Sequence, residues 1–182
     1  MSYRNKTYIA FYVSQPTTQC NLRYHCAPDL NYYHLIEAWV ENNDDLQLYD
    51  AHKSTYSVRD TSDFENTLLP RLRERLKNSK NIVLILSDET KLSKALKFEL
   101  EYGIETLKLP LIIMYPNLEP VNINGCLSYQ AKNRLERLSP LKNASSKVPI
   151  LHIMFNENQL VEALKFPGFN LSTKTEPGNY LL

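Results

Sequence analysis

The hydrophobic and polar positions divide the chain into short apolar runs separated by amphipathic stretches. The run "KTYIAFYV", residues 6–13, is apolar, aromatic and β-branched, and predicts a strand. Residues 14–28 are loop-like. Asp29 then stands where an N-cap belongs, ahead of Tyr32, Leu35, Ile36, Trp39 and Val40, which share one helical face. "ENNDD" ends that helix, and "LQLYD", residues 46–50, predicts a short second strand. Ser62 and Glu65 have the spacing of a capping box. Beyond them the charge runs from acidic to basic through Arg71, Arg73, Arg75 and Lys77, as a helix dipole favours. Pro70 either kinks this helix or opens a second one at its first position, because a proline in a helix interior costs about 3 kcal/mol.

"NIVLILS", residues 81–87, is almost continuously apolar, as a strand covered on both faces must be. A helix over 93–107 follows, then a second buried strand in "LPLIIMY". Residues 117–147 are irregular apart from a short helix around "QAKNRLERL". "VPILHIMF" is a fifth strand, and "NENQLVEALKF" a last helix capped by Asn156. Residues 167–182 read as a loose-coil tail. Strands alternating with helices, too far apart for hairpins, predict an α/β fold. Its core is a parallel sheet of about five strands with helices on both faces. Ligands of such sheets bind beyond the C-terminal strand ends, here near Val13–Ser14, Tyr49–His52, Ser87–Thr90 and Tyr115.

Composition narrows the function classes. With 182 residues the chain is one domain, 1–166, with an insertion at 15–28, the irregular segment 117–147 and the tail 167–182. A net charge of +1 gives no electrostatic reason to expect nucleic acid or an anionic membrane as partner. No apolar run reaches the roughly 18 residues of a spanning helix. The first residues lack a signal-peptide core, so a cytoplasmic location is expected. Three cysteines without CxxC spacing predict reduced thiols. A metal site from Cys20, His25 and Cys26 lacks a second pair of ligands, and no metal is expected. The four glycines are scattered, which excludes a Gly-rich phosphate cradle of the Rossmann or P-loop kind.

The predicted helix 93–107 carries three glutamates, Glu99, Glu101 and Glu105. On a wheel of about 100° per residue, Leu92, Leu96, Leu100, Gly103, Ile104 and Leu107 form one stripe. Glu105 lies opposite the stripe and Glu101 well away from it, which makes both a solvated face. Glu99 lies on the border of the stripe, beside Ala95 and Tyr102. From there a carboxylate either points into a cleft or reaches out to water.

Several stretches, in order, resemble one family. They are "DLNYYHLIEAWVENNDDLQLYDAH", "RDTS", "RLRERLKNSKNIVLILSDET", "KFELEYGIETLKLPLIIMY" and, more weakly, "VPILHIMFNENQLVEALKFP". They are similar to the TIR-like domains of the Thoeris antiphage defence family, the ThsB type. The resemblance implies a flavodoxin-like arrangement of the sheet. It also implies cleavage of NAD, as substrate rather than cofactor, at the nicotinamide–ribose bond. The product would be a cyclic or conjugated ADP-ribose that signals to a companion effector, with self-association of the enzyme. The family's catalytic glutamate falls on Glu99, in "ETKLSKALKFELE". Two departures bear on substrate choice. Relatives carry an acidic residue after the first strand, where this chain reads "FYVSQ", and a tryptophan where it has Lys97.

A lone glutamate suffices for this chemistry. Positive charge builds on C1′ and the ring oxygen as nicotinamide leaves, one carboxylate opposes it, and the neutral leaving group needs no acid. Candidates for lining the substrate are Tyr12, Ser14, Tyr33, Asp50, His52 and Arg59, at strand ends or in matched stretches. Asp50 and His52 equally suit loop capping, Arg59 equally suits pairing with Asp60, and Trp39 suits the core. Thr90 and Ser93 suit capping of the helix that follows. A non-catalytic adaptor and a flavodoxin-like nucleotide-binding protein remain as alternatives.

Overall fold

The computed structural model describes residues 4, 6–13, 28–43 and 64–182. Five strands form one parallel sheet in the order β1-β2-β3-β4-β5: Lys6–Ala10, Ser79–Ile85, Leu111–Tyr115, Pro149–Met154 and Gly178–Leu181. The expected strand at 46–50 lies outside the described residues. The fifth strand comes instead from the expected loose-coil tail. Gly178–Leu181 pairs with Pro149–His152, and Leu171 N–H donates to the Lys80 carbonyl at 2.9 Å. "GNYL" hides its nature because it has a single neighbouring strand and is half-exposed, so it never needed an apolar run.

Side chains alternate across the central strands, as the pleat requires. Tyr8, Ala10, Ile82, Leu84, Leu86, Leu111, Ile113 and Tyr115 feed one core layer, and Ile9, Phe11, Val83, Ile85, Ile112 and Met114 the other. The first layer is covered by α2 (Leu69–Lys77), α3 (Lys94–Glu101) and α4 (Tyr129–Arg137), through Leu76, Leu96, Leu100 and Ala131. The second is covered by α1 (Pro28–Asn42) and α5 (Glu157–Lys165), through Tyr33, Ile36, Leu160 and Ala163. This is the α/β sandwich the hydrophobic pattern predicted.

Local signals explain the helix limits. Pro70 sits in the first turn of α2, after a π-helical turn Phe64–Leu68, so the helix restarts there. Ser93 caps α3 by accepting from Leu96 N–H, and Asn156 caps α5. The expected helix 93–107 is α-helical only to Glu101; Tyr102–Thr106 is a π-helical turn closed by Leu107 N–H on the Tyr102 carbonyl. Trp39 lies against Phe155 at 5.0 Å, beside the second core layer. Cys126 is an exposed free thiol; Cys20, His25 and Cys26 lie outside the described residues. No helix among the described residues is long and apolar enough to cross a membrane.

Candidate active site

Helix α3 packs against β1 and α2. Its inward face carries Leu96 and Leu100 and, between them, Glu99. Glu99 is 7% exposed. It does not stand on the border of the stripe, as the wheel placed it, but inside it. Tyr8, in the middle of β1 and buried in the same layer, lies close enough for its hydroxyl to act on the Glu99 carboxyl. Burial pushes the Glu99 carboxyl up to about 8, while the nearby Tyr8 hydroxyl and the Arg75 guanidinium on α2 pull the other way. No ion pair within 4 Å involves Glu99 among the described residues.

Glu101 and Glu105 behave as a solvated face should. Glu101 pairs with Lys97 at 3.8 Å and Glu105 with Lys147, all of them half-exposed. They also line an open groove of about 490 Å³ on the outer side of α3, with Phe98, Tyr102, Pro140 and Asn143. Glu99 does not line it.

The remaining predicted site residues separate. Tyr12 follows β1, is half-buried, and packs against the layer that holds Glu99. Tyr33 is on the opposite face of the sheet, buried and stacked on Phe11 at 4.7 Å, with its hydroxyl donating to Glu37 at 3.1 Å. It cannot line a site built on α3; helical spacing alone turns it into the other core. Ser14, Asp50, His52 and Arg59 lie outside the described residues.

Sequence reasoning missed a second buried acid. Asp29 is fully buried in the first turn of α1. Its carboxylate accepts from Tyr12 N–H at 3.3 Å, Thr90 Oγ1 at 2.7 Å and the Ser87 hydroxyl. Thr90, expected to cap α3, is taken up here; it also accepts from Ser87 N–H at 2.8 Å. Arg134 on α4 was missed as well. It is 4% exposed, grips Asp88 with Nε at 2.9 Å and Nη2 at 2.6 Å, and donates to the Leu86 and Pro116 carbonyls. The only sequence signal for either was an acid at a helix start and an arginine in a helix; their partners lie 17 to 61 residues away.

What the arrangement offers chemically is one carboxyl in an apolar layer, beside a phenol and a guanidinium, on a helix whose other acids face water. A family model described as Thoeris protein ThsB, TIR-like domain, matches residues 8–120, more than half of the 182 residues. The matched span contains Tyr8, Asp29, Arg75, Ser87, Thr90 and Glu99.

Proposed function

The chain belongs to the TIR-like domain family of the Thoeris protein ThsB, a family of antiphage defence, and from that premise we propose that it cleaves NAD at the nicotinamide–ribose bond. The observation that carries this reading is the burial of Glu99. A carboxyl held from water without an ion pair costs free energy that an apolar side chain at the same place would not. Strongly shifted acids of this kind gather at functional sites.

In this reading the positive nicotinamide ribose lowers the pKa of Glu99 as it arrives, and the carboxyl releases its proton to solvent, because a nearby positive charge favours the ionised carboxylate. The C1′–N bond breaks, its electron pair goes to the nicotinamide nitrogen, and Glu99 opposes the charge left on C1′ and the ring oxygen. The Tyr8 hydroxyl, close to the carboxylate, steadies it in this reading. On the same reading Arg75, the cation acting on Glu99, also pairs with the substrate's diphosphate. A nitrogen or hydroxyl of the same molecule, or of a second small molecule, then attacks C1′ and loses its proton to solvent, which gives a cyclic or conjugated ADP-ribose that acts on a separate effector.

The test is release of free nicotinamide from NAD by the purified chain, with the infection cue supplied. Glu99→Gln keeps size and hydrogen bonding and loses the charge, so its rate falls by about 10²–10³-fold with the fold intact. Glu101→Gln and Glu105→Gln touch only surface pairs and stay within about twofold. Wild-type turnover in Glu99→Gln defeats the assignment.

The same burial favours a second reading. Glu99 is covered and the open groove lies elsewhere, as in a non-catalytic adaptor of the same fold. Absence of nicotinamide release in a cued, assembled sample would decide for it.

A further inference from the structure

The chain leaving β1 enters α1 on one face of the sheet, and the chain leaving β2 enters α3 on the other. The connections after β1 and β2 therefore diverge to opposite faces, the kind of place where open α/β sheets hold ligands. Here the two strand ends are tied together. Asp29, from α1, ties Tyr12 after β1 to Ser87 and Thr90 after β2. From the other side Arg134 holds the Asp88 carboxylate and Arg137 donates to the Asp88 carbonyl at 3.0 Å. Glu89 N–H donates to the Ser87 hydroxyl at 3.2 Å. All four residues of "SDET", 87–90, are thus held, and three residues later Ser93 caps α3.

Simple stability does not call for this device. Among the described residues no cation acts on Asp29; burial raises its carboxyl above the usual range, three donors pull it back, and Glu89 nearby raises it further. Well-packed apolar groups would fill the same space at lower cost. What the hydrogen bonds add is direction. Residues 86–93 are the only covalent link from β2 to α3, and α3 is a stiff rod that carries Glu99 about 9 Å beyond its cap. A shift at the start of the rod reaches Glu99 undiminished.

We propose that Asp29 is a positioning residue: through Ser87 and Thr90 it fixes the start of α3 and so holds Glu99 against Tyr8. This rests on the reading of Glu99 as the group that opposes charge at C1′.

The test uses the double variant Ser87→Ala/Thr90→Val, which removes two hydroxyl donors and keeps shape, or either single variant where the double does not fold. Thr90→Ser, which keeps the hydroxyl, is the rescue. Two quantities are read: the titration midpoint of the Glu99 carboxyl by carbon NMR, and kcat and KM for nicotinamide release with the infection cue supplied. The double variant is expected to lower the midpoint by about one pH unit or more as Glu99 loosens from its apolar seat. Its kcat falls on the order of 10²-fold, as misplacement by about 1 Å allows. KM for NAD stays within about twofold. Thr90→Ser restores both quantities. A variant with lowered Tm but unmoved midpoint and kcat makes Asp29 a structural tie only and overturns the proposal. So does a loss that Thr90→Ser fails to restore. Where midpoint and kcat disagree, kcat decides. If even the wild-type chain releases no nicotinamide, the enzymatic reading falls separately. The midpoint alone then settles the positioning: moved, it stands; unmoved, it is wrong.

Discussion

Glu99 and His152 titrate in opposite directions, and both leave a trace in stability. Glu99 rises from 4.5 to about 8 in the fold, so between these values the folded chain holds a proton that the unfolded chain has released. Stability from this group is therefore complete below pH 4.5 and is lost as pH climbs through about 8. His152 is buried among Tyr115 and Asn179. Its Nε2–H donates to Asn179 Oδ1 at 3.0 Å, which leaves Nδ1 to accept from the Tyr115 hydroxyl at 2.9 Å. Burial lowers its value from 6.5 to about 4, so its contribution is complete above 6.5 and is lost as pH falls toward about 4. Between 4.5 and 6.5 the two slopes oppose each other; above 6.5 only that of Glu99 remains. Wild-type Tm is thus expected to fall between pH 6.5 and 8, and Glu99→Gln to remove that fall. An equal slope in both proteins, measured by calorimetry, would show that Glu99 titrates normally. The helical wheel separated Glu99 from Glu101 and Glu105 because one element suffices for that. It could not turn Glu99 inward, since the layer it enters is built by residues such as Tyr8, on a strand 91 residues earlier in the sequence.

The π-helical turn after α3 is where an element meets the sheet most closely. A Cβ on Gly103 would stand 2.3 Å from Ile82 Cδ1, and both residues are buried. Glycine lets the turn approach β2, and Leu109 N–H then closes on the Gly103 carbonyl at 2.9 Å to lead into β3. Gly103→Ala forces the Ile82 tip into a filled layer, and should cost about 1–3 kcal/mol in urea unfolding. A loss of under a few tenths would mean that the layer yields there. This turn was not legible in sequence. Leu100, Gly103, Ile104 and Leu107 continue an α-helical spacing, so the pattern runs through the place where the hydrogen bonding changes. The buried strands β2 and β3 were legible, because a strand covered on both faces has no polar position to spare. β5 was not, because its place is set by pairing with β4 and by the His152–Asn179 contact rather than by its own composition.

At the scale of the molecule, the fold class followed from the order of apolar runs, and the two faces from the alternation within them. The site followed less well, because its parts come from β1, α1, the loop after β2, α2 and α3, and no local pattern records who meets whom. The resemblance to TIR-like domains carries the expectation of self-association, and the proposed reaction is expected to depend on it. Nicotinamide release per molecule should therefore rise with protein concentration, in step with light scattering, and a flat value across a range that holds only monomer would remove the assembly from the proposal. The buried carboxyl also shapes how such sequences drift. A lineage that keeps the fold and abandons the reaction gains nothing from an acid in its core, and substitution of Glu99 by glutamine or leucine relieves the cost of keeping it dry. Gly103, one turn on, has less freedom, since any side chain there must displace the buried tip of Ile82. Descendants that have lost the chemistry should be recognisable by a missing glutamate beside a retained glycine, and those still under infection pressure by the presence of both.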